Sequence, residues 1–333
     1  MIELSHLTKR YGAHTAVSDL SFTVDSGQIY GFLGPNGAGK STTMNIMAGC
    51  LSATEGSVRI DGYDVFEEPG KAKKRIGYLP EQPPLYLNET PEEYLRFVGE
   101  AKGLRGAGLD GQIEAVVRQT GIGAVARRRI SALSKGYRQR VGIAQALLGE
   151  PKVIILDEPT VGLDPIQIIE IRDLIKELGQ THTVIFSSHI LSEVQTICDQ
   201  IIMIARGKLV AFDTPENLEK HLLSPNEVVL ASDAGADEVR ALLGGVDHIT
   251  GLTLEETAAG LVTARIKTDL SDVYGLSRAV FAAFSAGGKT LLELVVKKAN
   301  LEDIFLELAE GGDAGPGRPA GEADPAEEEG AEE

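Results

Sequence analysis

Tryptophan is absent from this 333-residue chain, cysteine occurs twice, and no run of about 18 apolar residues exists anywhere along it. Cys50 and Cys198 stand far apart with no other ligand types beside them, which excludes a disulfide framework and a zinc cluster and points to a reducing cytosol. Without a long apolar run no helix spans a bilayer, so a membrane role would need spans from another chain. Residues 1–10 are polar every few positions and lack the apolar core of a secretion signal. Basic charge is also scarce: 32 Lys and Arg against 49 Asp and Glu leave a net charge of -17, which argues against capture of nucleic-acid phosphates or anionic lipid. At this length roughly 75% of the unfolded chain's surface can be buried, enough for one large or two medium domains without covalent staples.

What is present divides the chain. Over residues 1–214 short strands mix with longer amphipathic helices, an α/β pattern with an added antiparallel β portion. Ile2/Leu4, Leu20/Phe22/Val24 and Val58/Ile60 alternate with polar neighbours, as half-buried strands do. Val153-Ile154-Ile155-Leu156 and Thr183-Val184-Ile185-Phe186 are continuously apolar and predict central parallel strands covered on both faces. Thr90-Pro91-Glu92-Glu93 opens a helix with a capping threonine, a first-turn proline and a glutamate three residues on, and begins a helical lobe over about 88–145 inserted between parts of the sheet. Residues 215–225 are expected to be a linker. Over 226–310 strand-like segments at 227–232, 261–268 and 289–298 flank helical stretches at 237–243 and 272–284, an order that resembles a βαββαβ, ferredoxin-like α+β layer. A last helix is expected from Asn300, with Leu301, Ile304, Phe305 and Leu308 on one face. Residues 311–333 hold eight acids, one base and much Gly, Pro and Ala, the composition of a disordered acidic tail.

The strongest chemical signal is Gly34-Pro35-Asn36-Gly37-Ala38-Gly39-Lys40-Ser41, which fits the P-loop pattern, follows the apolar strand Ile29–Leu33 and runs through Thr42 into a helical stretch. Glycines let the backbone turn its N–H groups inward on a polyphosphate, and the helix starts there with its positive end aimed the same way. Lys40 would reach the β and γ phosphates and Ser41 would offer a hydroxyl to Mg²⁺. The motif by itself does not separate ATP from GTP. Asp157-Glu158 end the apolar strand, and because adjacent strand residues face opposite ways the two acids suit different tasks. Asp157 suits the metal, Glu158 the activation of an attacking water.

Five landmarks stand in one order: Gly34 to Ser41, Leu133-Ser134-Lys135-Gly136-Tyr137, Val153 to Glu158, Gly162-Leu163-Asp164, and Ser187-Ser188-His189. Together they resemble the ATP-binding cassette family over about residues 1–214. The resemblance implies a P-loop NTPase fold and a head-to-tail homodimer that sandwiches ATP, with Ser134 and Gly136 of one copy meeting the γ-phosphate on the other copy's P-loop. It also implies a switch role for His189 and a place at the dimer seam for Asp164. Tyr11 matches the family's adenine-stacking aromatic, a face worth about 1–3 kcal/mol to any base. Two positions depart from the pattern. Lys135 and Tyr137 replace the commoner Gly and Gln of the signature, and Ile76-Gly77-Tyr78-Leu79-Pro80 leads into Glu81 where the family has a metal-contacting glutamine, with Gln82 one step late. Either Glu81 takes the site, as its oxygens can bind Mg²⁺, or the loop shifts to use Gln82.

A cassette without membrane spans implies a separate integral-membrane permease, docked beside residues 81–87 and the helical lobe on the inner face of the cell membrane. Lys297-Lys298-Ala299-Asn300-Leu301 through Leu308 resembles the C-terminal extension of ABC-2-type exporter ATPases, those of the gliding-motility and multidrug-efflux groups, and tilts direction toward export. The rival readings are a soluble cassette ATPase acting on nucleic acid or ribosomes, and a regulatory ATP-binding subunit. The acidic balance, the single cassette and the lack of sustained heptads between Lys40 and Asp157 weigh against the first.

Overall fold

Alternating apolar residues at the start build a long antiparallel hairpin, β1 (Ile2–Tyr11) and β2 (His14–Val24), with Ile2 paired to Val24 and Leu4 to Phe22. The computed structural model describes residues 1–222, 227–256, 260–268, 270 and 272–297. After the hairpin the chain enters β3 (Ile29–Leu33), buried at every position, then α1 (Lys40–Met47), β4 (Glu55–Ile60), β5 (Tyr63–Asp64), α2 (Pro69–Lys73) and β6 (Ile76–Leu79). The helical lobe follows as α3 (Pro91–Ala101), α4 (Gly106–Gln119) and α5 (Lys135–Leu147). The chain then alternates through β7 (Val153–Leu156), α6 (Pro165–Gly179), β8 (Thr183–Ser188), α7 (Leu191–Ile197), β9 (Gln200–Ala205) and β10 (Lys208–Asp213).

Two sheets result. One is antiparallel in the order β2-β1-β4-β5; the other runs β10-β9-β3-β8-β7-β6 and is parallel except for its β10 edge. Met44, Ile46 and Met47 of α1 share one core with Ile2, Leu4 and Val58 of the first sheet and Ile155, Ile185 and Ile202 of the second. The helix that opens at Lys40 is therefore clamped by two apolar layers. A continuous apolar strand has no polar face to show to water, which is why β3, β7 and β8 occupy the middle of the parallel sheet.

The expected cap at Thr90 is present: its Oγ1 accepts from Glu93 N at 3.3 Å, and the Glu93 carboxylate accepts from Thr90 N at 2.9 Å. At the other end of α3, Lys102 Nζ donates to the carbonyls of Gln145, Ala146 and Leu148 at 3.0, 3.3 and 2.7 Å. A cation thus meets the carbonyls left over at the C-terminal end of α5 and ties two lobe helices together.

The described residues divide into two units at Pro215. The stretch expected as a linker opens instead with α8 (Pro215–Leu222), where Pro215 suits a first helical position and Glu216 complements the helix N-terminus. Beyond it lie β11 (Glu227–Ser232), α9 (Ala236–Leu243), β12 (Ile249–Glu256), β13 (Val262–Thr268), α10 (Val273–Ala286) and β14 (Leu291–Lys297). Their sheet is antiparallel in the order β12-β13-β11-β14, the ferredoxin-like arrangement. Val228, Leu230, Val262, Ala264 and Ile266 line its helix-covered face against Val239, Leu276, Val280 and Phe284. The helix expected from Asn300, the tail 311–333 and the rest of the expected linker, 223–225, lie outside the described residues.

Candidate functional site

The turn between β3 and α1 is shaped by glycines that nothing else could replace. Gly39 caps α1 at φ 103°, and a Cβ there would lie 2.6 Å from the Ala16 carbonyl oxygen. A Cβ on Gly34 would lie 2.6 Å from Ile204 O, so the loop sits directly on β9. The resulting cavity of about 570 Å³ is lined by Tyr11, Pro35, Asn36, Gly37, Gly39, Lys40, Ser41, Thr42, Glu81, Glu158 and His189, and also by His14, Ala16 and Val161. Of the expected cradle residues, Gly34 and Ala38 do not line it. Ala38 is buried beneath the turn, where its carbonyl accepts from Gly207 N at 3.0 Å. Gln82 is not among the lining residues, whereas Glu81 is.

Polar groups converge at the floor. Lys40, 6% exposed, donates from Nζ to Gly34 O at 2.7 Å and stands 3.3 Å from Glu158 Oε1. The other Glu158 oxygen is 2.9 Å from His189 Nδ1. Ser41 Oγ donates to Asp157 Oδ1 at 3.2 Å. Burial is the main cause pushing the Asp157 carboxyl above its ordinary range; bonds from Ser187 and Ser41 pull it down and the Glu158 charge pushes it up again. A serine hydroxyl and a carboxylate at this spacing are the hard oxygen donors that suit Mg²⁺. Among the described residues no group of three or more His, Cys, Asp or Glu could hold a metal ion.

Ser187, to which the landmark Ser187-Ser188-His189 gives no role of its own, joins the two acids. Its Oγ donates to Asp157 Oδ1 at 2.7 Å and accepts from Glu158 N at 2.8 Å. Register explains this: β7 and β8 pair with Leu156 beside Phe186, so the next residues, Asp157 and Ser187, are neighbours. Glu158 itself has φ 47°, a backbone state that costs a non-glycine residue about 1–3 kcal/mol and persists only where the surroundings hold it.

A second cavity of about 410 Å³ collects the remaining expected residues. Ser134, Gly136 and Asp164 line it together with Tyr137, Arg140, Gln167 and Glu170. Ser134 caps α5 by accepting from Tyr137 N at 3.3 Å, and Asp164 caps α6 by accepting from Gln167 N at 2.9 Å. A Cβ on Gly136 would lie 2.7 Å from Gln167 Oε1, so a larger residue there would have to displace the end of that side chain. Within one chain the cradle residues and the signature residues therefore form two separate clusters.

The family profile of ABC transporters matches residues 17–161. Over 311 residues the chain is 32% identical to the linearmycin resistance ATP-binding protein LnrL of Bacillus subtilis, spanning 92% of this chain and 98% of that one. The chain belongs to the ABC transporter ATP-binding proteins. It is also 34% identical to the bacitracin transport ATP-binding protein BcrA of Bacillus licheniformis, across 95% of this chain and 99% of that protein. Among solved structures, the ATP-binding subunit of an ABC transporter matches at TM-score 0.61 and 31% identity, covering 67% of this chain and 93% of that one. A dimeric cassette in a post-hydrolysis state bound to ADP and Pi matches at TM-score 0.59 and 27% identity, covering 64% and 98%. As an ABC cassette the protein is an ATPase and its nucleotide is ATP. Cassettes of this family work as dimers with membrane permease components. Among the described residues no helix is long and apolar enough to cross a membrane.

Proposed function

We propose that this ABC ATPase is the ATP-hydrolysing subunit of an ABC-2-type exporter, bound peripherally to the inner face of the cell membrane through a separate permease. In this reading the Pro35 to Gly39 backbone and Lys40 hold the β and γ phosphates, Tyr11 stacks on the adenine, and Ser41, Asp157 and Glu81 hold Mg²⁺. When bound, that ion neutralises charge on the phosphate oxygens. Glu158 orients and deprotonates the attacking water while His189 fixes the Glu158 carboxylate, and Ser134, Gly136 and Asp164 act on the nucleotide of the partner copy. The observation that carries this reading is Glu158 held between the Lys40 ammonium and the His189 ring, beside the Ser41–Asp157 pair.

Export is supported by the transport and resistance names of relatives matched along more than nine-tenths of the chain, which also disfavours the nucleic-acid or ribosome rival. A docking surface for the permease is supported by exposed aromatics beside the Glu81 loop. The Tyr86 ring lies 5.1 Å from Phe97 and 5.7 Å from Tyr94, centroid to centroid, and Tyr86, Leu87 and Phe97 are each about half exposed.

Glu158→Gln tests the mechanism, because it keeps shape and hydrogen bonding while removing the base. Turnover is expected to fall by roughly 10²- to 10⁴-fold with ATP-dependent dimers retained on gel filtration. Parent-like hydrolysis by that variant would contradict the role given to Glu158.

A further inference from the structure

A buried carboxylate outside the cradle ties three segments around it together. Glu193, in the first turn of α7, is 2% exposed. Its Oε2 accepts from Thr160 Oγ1 at 2.8 Å and from Ser188 Oγ at 2.9 Å, while Oε1 stands 3.6 Å from Arg172 Nη2. Each partner belongs to a different part of the site. Thr160 lies in the turn that follows Glu158, where Val161 N donates to Glu158 O at 3.2 Å. Ser188 immediately precedes His189, and its hydroxyl also accepts from Ile190 N at 3.0 Å, so it brackets the histidine on both sides. Arg172 sits on α6, the helix that Asp164 caps.

We infer that Glu193 is a positioning residue for hydrolysis, acting through His189 and Glu158 without touching nucleotide. Glu158 adopts its positive φ only while the turn behind it is held. Ser187 holds that turn from the Glu158 N–H, and Thr160 holds it from the other side through Glu193. The same carboxylate fixes the His189 loop, so the 2.9 Å contact between His189 and Glu158 joins two segments that share one anchor. Arg172 is the counter-charge that makes a buried carboxylate tolerable there, and its Nε has no partner among the described residues, which leaves the pair on a single guanidinium nitrogen. Movement of α6 at the dimer seam thus reaches both halves of the water-activating pair through one side chain.

This inference rests on the assignment of Glu158 and His189, and its test separates the two. The full chain is assayed as parent, Glu193→Gln, His189→Ala and the double variant, with kcat, ATP KM, binding of a fluorescent ATP analogue and thermal unfolding measured for each. Glu193→Gln keeps the volume and one acceptor oxygen but loses the charge and one acceptor. We expect kcat to fall roughly 10- to 100-fold, with KM and analogue binding within about twofold of the parent. In the His189→Ala background the same change is expected to lower kcat by clearly less than in the parent, because the route through Ser188 to His189 is already lost while that through Thr160 remains. An equal loss in both backgrounds, or a parent-like kcat for Glu193→Gln with His189→Ala slow, overturns the inference alone. Loss of analogue binding together with the thermal midpoint would make Glu193 merely structural and overturn it as well. A parent-like rate for His189→Ala overturns the site assignment, and the inference with it.

Discussion

At the scale of single residues the cradle contains groups placed against their own preference. Asp157 is 1% exposed with Glu158 as its chain neighbour, and burial raises its pKa. As pH climbs, the unfolded chain therefore releases this proton first. The stability contribution of Asp157 falls from its unfolded pKa up through its folded one, and the buried charge remains unfavourable at neutral pH. Asp157→Asn is accordingly expected to raise the thermal midpoint of the nucleotide-free protein while abolishing the further rise that MgATP gives the parent. A lower midpoint in differential scanning fluorimetry would show that the bonds from Ser41 and Ser187 outweigh the desolvation. Much of this chemistry was legible in the residue order: Lys40, Ser41, Asp157, Glu158 and His189 meet at one floor. Ser187 and Glu193 were not, because their significance depends on which strands pair and which side chains a buried loop faces, and neither follows from residue type.

At the scale of elements, the turn into α1 depends on a backbone state rather than on a side chain. Gly39→Ala would force φ 103° on a residue with a Cβ and drive that atom against Ala16 O. The variant is expected to lose more than about 1 kcal/mol of stability, read as a lower urea midpoint with unchanged slope, and to lose ATP binding. Parent stability would mean that the turn can rearrange. The apolar runs predict the central strands well: β3, β7 and β8 are buried at every position, the two serines that end β8 included. Periodicity left out β12, whose Ile249 and Gly251 straddle a register shift against β13 and break the alternation. It also put a linker where α8 forms, because Thr-Pro-Glu serves equally as a loop end and as a helix start.

At the scale of the whole molecule, the cradle and the Ser134–Asp164 cluster line separate hollows of the first unit. The capped starts of α5 and α6 face a cavity of their own, and the exposed Ile166, at 71%, lies on its rim. The aromatic patch at Tyr86 and Phe97 lies beside the helical lobe, where Lys102 ties α3 to the C-terminal end of α5 and Ser134 caps the opposite end of that helix.

Under the proposed head-to-tail pairing, the separation of the two hollows also lets defects be traded between copies. A Lys40→Ala subunit has a ruined cradle but a sound α5 start; a Ser134→Arg subunit is the reverse. Each alone assembles only crippled stations, yet a mixed pair holds one station with both faults and one with neither. Blending the two inactive preparations after dissociation should restore up to about a quarter of the parental rate under random pairing. A blend that stays dead would mean that each copy works on the nucleotide it holds by itself.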